Sequence, residues 1–247
     1  MTYVLSDIHG NERRFNSIMK QIEFCAEDEL YILGDVIDRH PGGLRLLYRL
    51  MKMPNVHMLL GNHEYMMLRA LGYPYDSDDD LSEREMQFEQ KMWYRNGGAV
   101  THQYWKRIRK ERRREIVEYL RCLPLNMDIE VNGKSYKLVH GAPVEDYDSR
   151  SEYENATQHA VWKRLRLRDL DDQDNTLIFG HTPTEHYQDG IPMSVLKYGY
   201  GIGIDCGSGY PETDYYGQRG RLACLRLDDG KAFYSVEEGQ SESVRFY

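Results

Sequence analysis

No apolar stretch in this 247-residue chain approaches the ~20 residues needed to cross a bilayer, so no membrane-spanning helix is expected. The start, Met1-Thr2-Tyr3-Val4-Leu5-Ser6-Asp7, has no basic lead and no long apolar segment; it reads as a first core strand rather than a signal peptide. No CxxC spacing occurs among Cys25, Cys122, Cys206 and Cys224, which read as buried free thiols in a reducing cytoplasm. Excess positive charge is also missing. A formal net charge of −8 argues against broad attraction to nucleic acid. The locally basic stretch Lys106-Arg107-Ile108-Arg109-Lys110-Glu111-Arg112-Arg113-Arg114 reads as the solvated face of a helix, with docking of an anionic substrate or partner as the other reading. The acidic run Asp76-Ser77-Asp78-Asp79-Asp80 begins like a calcium loop, but Leu81 and Gln87 stand where that loop needs glycine and glutamate. It reads instead as a mobile loop near a site entrance. There is no internal repeat, heptad array or disordered linker, and no serine or cysteine stands out as a nucleophile.

What is present is a set of apolar runs, each stopping at a residue suited to binding a metal ion. Tyr3-Val4-Leu5-Ser6 leads to Asp7 and His9, Leu30 to Gly34 leads to Asp35, and Val56 to Gly61 leads to Asn62. Tyr136 to Val139 leads to His140, Thr176 to Gly180 to His181, and Gly201 to Ile204 to Asp205. The first three runs alternate with helix-like stretches near 11–24 and 43–53, which implies parallel strands joined by crossover helices. Residues 62–71, 82–95 and 99–121 read as helical, and residues 72–121 as an insertion. Further strand-like runs fall at 127–131, 135–139, 176–179, 201–204, 221–227 and 232–236, with hairpin turns at Asn132-Gly133 and Asp229-Gly230. One α/β domain over 1–247 is the simplest account. Ligands in such sheets bind outside the carboxyl ends of strands, so these residues are expected to meet along one edge.

The donor set is that of a two-metal centre. Asp7-x-His9 puts two ligands on one side if the backbone stays extended past the strand end. Asp35 can bridge two cations, and Asn62, His140 and His181 add neutral oxygen and nitrogen donors suited to a borderline transition metal. Two such ions lower the pKa of a shared water and clamp a phosphoryl group, so a bridging hydroxide can attack directly. His63 follows Asn62 and can face a leaving oxygen as general acid, with Asp38 orienting it and Arg39 forking onto phosphate oxygens.

These motifs, Asp7-Ile8-His9-Gly10, Gly34-Asp35-Val36-Ile37-Asp38-Arg39, Gly61-Asn62-His63-Glu64, His140-Gly141 and Gly180-His181-Thr182-Pro183, resemble those of the calcineurin-like metallophosphoesterases. Within them the chain is similar to the phosphoprotein phosphatase group that includes small bacterial and phage serine/threonine phosphatases. The resemblance extends over about 200 residues in order and spacing. It implies that Asp7 and His9 bind one metal, Asp35 bridges, and Asn62, His140 and His181 bind the other. It makes His63 and Asp38 the acid pair and Arg39 a phosphate arginine. Trp162-Lys163-Arg164 resembles a subgroup segment that points to Arg164 as the second phosphate arginine, and Trp93 to Asn96-Gly97-Gly98 resembles that subgroup's insertion. The implied fold is two packed mixed β-sheets flanked by helices in four layers, with two divalent ions, Mn²⁺ first and Fe or Zn as alternatives. His40 departs from the family pattern, where glycine follows the arginine; it is expected to narrow the rim or touch substrate. Asp205 is expected behind the ligands rather than among them.

Each signal has a plainer reading. Asp7 could cap the next helix, Gly34-Asp35 and Gly61-Asn62 could be ordinary turns, and Arg164 could lie on a solvated basic helix. His57, His102, His159 and His186 show no partner pattern, and Trp93, Trp105 and most of the twenty tyrosines read as packing residues. Some tyrosines near 198–216 could line the cleft. The activity read from the whole set is hydrolysis of phosphoserine and phosphothreonine in proteins, or of a phosphorylated small molecule, with no nucleic-acid or membrane partner. Symmetrical hydrolysis of diadenosine tetraphosphate is the enzyme alternative. A non-catalytic phosphate-sensing scaffold is the reading of another class, and it predicts lost ligands that this chain retains.

Overall fold

Strand residues alternate between two faces, and in this chain both faces are apolar because each sheet is covered on both sides. The computed structural model describes residues 1–75, 81–171, 175–211 and 219–236. From the amino end it runs β1 (Thr2–Leu5), α1 (Glu12–Ile22), β2 (Glu29–Ile32), α2 (Gly43–Leu50), β3 (Val56–Met58) and α3 (Asn62–Ala70). The insertion contributes α4 (Glu83–Arg95), α5 (Ala99–Trp105) and α6 (Lys110–Arg121). There follow β4 (Asn126–Val131), β5 (Lys134–Val139), α7 (Ala156–Trp162), β6 (Thr176–Phe179), β7 (Leu196–Tyr198), β8 (Gly201–Gly203), β9 (Ala223–Arg226) and β10 (Ala232–Tyr234).

The strands form two mixed five-stranded sheets, ordered β10-β9-β1-β2-β3 and β4-β5-β6-β8-β7. In the first sheet β1, β2 and β3 are parallel, and in the second β5, β6 and β8 are parallel. Their carboxyl ends therefore share one edge. Val4 from β1, Leu138 from β5, Ile178 from β6 and Leu225 from β9 meet in the core between the sheets. The neighbouring residues point the other way. Tyr3 and Leu5 join Phe15, Ile18 and Leu47 of the flanking helices, while Leu177 and Phe179 pack against Leu165 and Leu170. The expected four-layer α/β fold is the observed one.

Several expectations need correction. Residues 99–121 form two helices, because Arg109 is extended with φ −65° and ψ 153°. A continuous helix would stack Lys106 over Lys110 and Arg109 over Arg113, which like-charge repulsion opposes. The basic stretch is partly absorbed by packing: Arg112 sits over the Tyr48 ring and Arg113 over Trp105. The third strand ends at Met58 rather than Leu60, since the Leu60 amide turns to the Pro124 carbonyl at 3.0 Å. Strand β7 and helix α7 had no clear sequence signal. Cys206 and Cys224 are buried, but Cys25 and Cys122 are exposed just past the ends of α1 and α6. The acidic run at 76–80 and Tyr215 and Tyr216 lie outside the described residues.

Candidate metal centre

The chain reaches the common edge through left-handed turns. Asp7, His9, Asp35, Asp38, Arg39 and His181 all have positive φ, between 51° and 72°. Such conformations cost non-glycine residues on the order of 1 kcal/mol or more each and collect where tertiary structure demands them. The backbone after β1 is therefore not extended, as the Asp7-x-His9 reading assumed. Two sharp turns, not strand alternation, bring Asp7 Oδ1 within 3.8 Å of His9 Nε2. Asp7 does not cap α1 either; the Asn11 side chain does, accepting from the Arg14 amide.

Asp35 lies at the middle of the site. Its Oδ2 is 3.7 Å from His9 Nε2 and 3.8 Å from His63 Nε2, and its Oδ1 is 3.5 Å from His140 Nε2. Among the described residues, two buried groups whose side chains are close enough to hold an ion share it, His9–Asp35–His63 and Asp35–His140–His181. On the second side the Asn62 Oδ1 is 2.9 Å from both His140 Nε2 and His181 Nδ1.

The residues fit a pair of cations on two grounds. First, three of the four imidazoles give their other ring nitrogen to a backbone carbonyl: His9 Nδ1 to Ile37, His140 Nδ1 to Leu33, and His181 Nε2 to Trp162. The carbonyls fix the N–H there, so lone pairs face the chamber and meet the Asn62 oxygen. Acceptors converging on one another in a buried place need a positive ion. Second, the charges call for one. Burial and then the Asp35 charge push the Asp7 carboxyl up, and burial and then Asp7 push Asp205 well up. Burial drives His9 well down and His181 down to about 3, which leaves both neutral, as ligands must be. Burial opposes ionisation of Asp35, but the positive charge that neighbouring imidazoles, His140 first, carry when protonated, together with the His63 amide donating at 3.0 Å, outweighs it and holds the carboxyl low.

His63 stands apart from the other histidines. Its Nδ1 is 2.7 Å from Asp38 Oδ2, and its Nε2 is 3.4 Å from Arg39 Nη2. Burial lowers its pKa, but the Asp35 charge and the Asp38 hydrogen bond outweigh this and raise it above the ordinary value. Arg39 is exposed, so its guanidinium is available to an incoming anion. Arg164 is exposed too, and it is not on a helix: α7 ends at Trp162 and Lys163 is already extended. Its charge bears on His181, whereas that of Arg39 bears on His9 and His63. His40, half-buried, bonds the His9 carbonyl through its Nδ1 at 3.0 Å and ties the two turns together. Asp205 accepts from the Gly207 amide at 2.9 Å.

Three contributors were not identified from the sequence. Glu64, fully buried, accepts the amides of Asp35, Val36 and Ile37 at 2.9–3.2 Å and so braces the turn that carries the bridging carboxylate. Burial, and then Asp35, push its carboxyl up to about 8. Trp93 donates its Nε1–H to Asp38 Oδ2 at 2.7 Å, where packing alone was expected. Gly209 presses on the site: a Cβ there would overlap the His9 ring and lie 2.7 Å from Arg39 Nη1. Gly209→Ala is therefore expected to cut kcat/KM by roughly 10-fold or more, because displacements near 1 Å can cost about 10²-fold. Unchanged turnover in a well-folded Gly209→Ala protein would show that His9 and Arg39 tolerate the shift.

The two-sheet fold, the parallel strand ends and a donor set built around one shared aspartate define a metal-dependent phosphoesterase. The calcineurin-like phosphoesterase family model matches residues 2–210, and the chain belongs to that family. It is 29% identical over 171 residues to a serine/threonine-protein phosphatase 2 of Salmonella typhimurium, covering 67% of this chain and 68% of that one. It is 35% identical over 69 residues to a symmetrical bis(5'-nucleosyl)-tetraphosphatase of Cronobacter sakazakii, covering 27% of this chain and 24% of that one. In three dimensions it is similar to a metallophosphoesterase from Sphaerobacter thermophilus, with TM-score 0.55 and 19% identity over 96% of this chain and 88% of that one.

Proposed function

We propose that the protein is a phosphomonoesterase that removes phosphate from phosphoserine and phosphothreonine in cytoplasmic proteins. Asp7, His9 and Asp35 would hold one divalent cation, and Asp35, Asn62, His140 and His181 would hold the other, with Mn²⁺ the first candidate and Fe or Zn the alternatives. When bound, the cations supply the acidity of the attacking water and positive charge for the phosphoryl group. Arg39 and Arg164 would fork onto the phosphate oxygens. Asp38 accepts the His63 Nδ1–H, and His63 then delivers the proton on Nε2 to the leaving oxygen.

The observation that carries this reading is the braced His63–Asp38 pair. An alcohol is a poor leaving group and needs a proton as its bond to phosphorus breaks, whereas a nucleotide phosphate leaves readily without one. The extent of the likeness to the Salmonella phosphatase supports the same substrate class. The short match to tetraphosphatases keeps the dinucleotide as the second reading. The deciding experiment is kcat/KM with Mn²⁺ for a phosphothreonine peptide and for diadenosine tetraphosphate. We expect the peptide to be preferred by at least about tenfold, a difference of ~1.4 kcal/mol in transition-state binding. A comparable preference for the dinucleotide would overturn the substrate class and leave the metal site standing.

A further inference from the structure

We propose that Trp93, on the helical insertion, is a positioning residue for proton transfer: its indole N–H holds the Asp38 carboxylate in the one orientation that presents His63 to the leaving group. The inference rests on the reading of His63 as the acid. Asp38 is fully buried, and its Oδ2 accepts from two donors, His63 Nδ1 and Trp93 Nε1, each at 2.7 Å. Its Oδ1 has no hydrogen-bond partner among the described residues. A carboxylate tied only to His63 could swing about its Cβ–Cγ bond and carry the imidazole with it. Two donors that converge on one oxygen position from different elements fix the plane of the carboxylate, since only the half-turn that interchanges its equivalent oxygens satisfies both.

Trp93 can serve as the fixed point because it cannot move. Its side chain is fully buried at the end of α4, with Gly98 pressed against the indole so closely that a Cβ would overlap it. The His102 ring lies 5.5 Å away, centroid to centroid, tilted by 31°. The same insertion grips the neighbouring backbone. The Asp38 amide donates to Thr101 Oγ1 at 3.0 Å and the Arg39 amide to the Gly97 carbonyl at 3.2 Å. Those contacts stabilise two successive left-handed residues, Asp38 at φ 72° and Arg39 at φ 65°. The contact satisfies a buried indole N–H and, because the acceptor is the oxygen His63 also uses, fixes the carboxylate at the same time.

The test is Trp93→Phe, which keeps an aromatic ring and removes the donor. We expect kcat on a phosphothreonine peptide to fall about tenfold or more, kcat on p-nitrophenyl phosphate to fall less than about twofold, and KM for both to stay within about twofold, because only a poor leaving group needs the acid. If the phenylalanine protein does not fold, β-(3-benzothienyl)alanine at this position keeps the shape, lacks the N–H and is expected to show the same split. In an Asp38→Asn background the Trp93→Phe split should shrink to less than about twofold, since the tryptophan acts through that carboxylate. Equal losses on both substrates, no loss on either, or an undiminished split in the Asp38→Asn background would overturn the assignment. His63→Asn is run beside them. A leaving-group split there with none for Trp93→Phe overturns the Trp93 role alone, and no split for His63→Asn overturns the acid reading and this inference with it.

Discussion

Asp35→Asn is expected to lower kcat/KM by about 10³-fold or more and to remove most of the stabilisation that Mn²⁺ confers. Asp35 is the one side chain common to both donor groups, with one oxygen facing His9 and the other facing His140. An amide lacks the negative charge and offers one acceptor oxygen in place of two. Lewis-acid stabilisation is worth several kcal/mol, and ~4 kcal/mol corresponds to about 10³ in rate. Metal at about 100 times its dissociation constant should stabilise the unaltered protein by ~2.7 kcal/mol through mass action. Thermal unfolding with Mn²⁺ and with chelator, run on both proteins, reads this directly. A metal-dependent rise in Tm as large in Asp35→Asn as in the unaltered protein would show that the carboxylate does not bridge.

His63→Asn is expected to reduce kcat on a phosphothreonine peptide by roughly 10²–10⁴-fold, the usual contribution of a positioned acid, with KM little changed. The effect should be much smaller for an aryl phosphate, whose leaving group departs as an anion. The structure gives His63 a second possible part, because its Nε2 is as near to Asp35 Oδ2 as that of His9, to within 0.1 Å. Metal titration separates the two. An acid leaves metal affinity intact when it is removed, whereas a ligand takes affinity with it. A large loss of Mn²⁺ binding in His63→Asn would move this histidine from the acid to the ligand set.

Most of the donor set was legible because its signal is local. An apolar run followed by aspartate, asparagine or histidine can be read from a few adjacent residues, and the order of six such endings is a property of the chain. The parallel arrangement of the first three strands followed from the helices between them. What could not be read was how each donor reaches the chamber. Asp7 and His9 converge through left-handed turns rather than an extended segment, and those turns are held by contacts with the loop that follows β2: the His9 amide bonds the Asp35 carbonyl at 2.9 Å and Gly10 the Val36 carbonyl at 2.7 Å. Neither partner is near in sequence.

The same division explains Glu64 and Trp93. Glu64 was visible inside its motif, but its work is done on three amides 27–29 residues earlier in the chain. Trp93 lies 55 residues from the carboxylate it holds, and nothing in its own neighbourhood distinguishes a packed indole from a donating one. The sequence by itself determined the chemistry: which donors are present, which strand each follows, and that their charges suit two cations. Only the tertiary structure decided that two sheets pack so that both sets of strand ends face one chamber, that Asp35 stands between them, and that the insertion reaches the His63–Asp38 pair. Chemistry is carried by single residues and short runs, whereas convergence depends on contacts between segments whose separation in sequence erases any local trace.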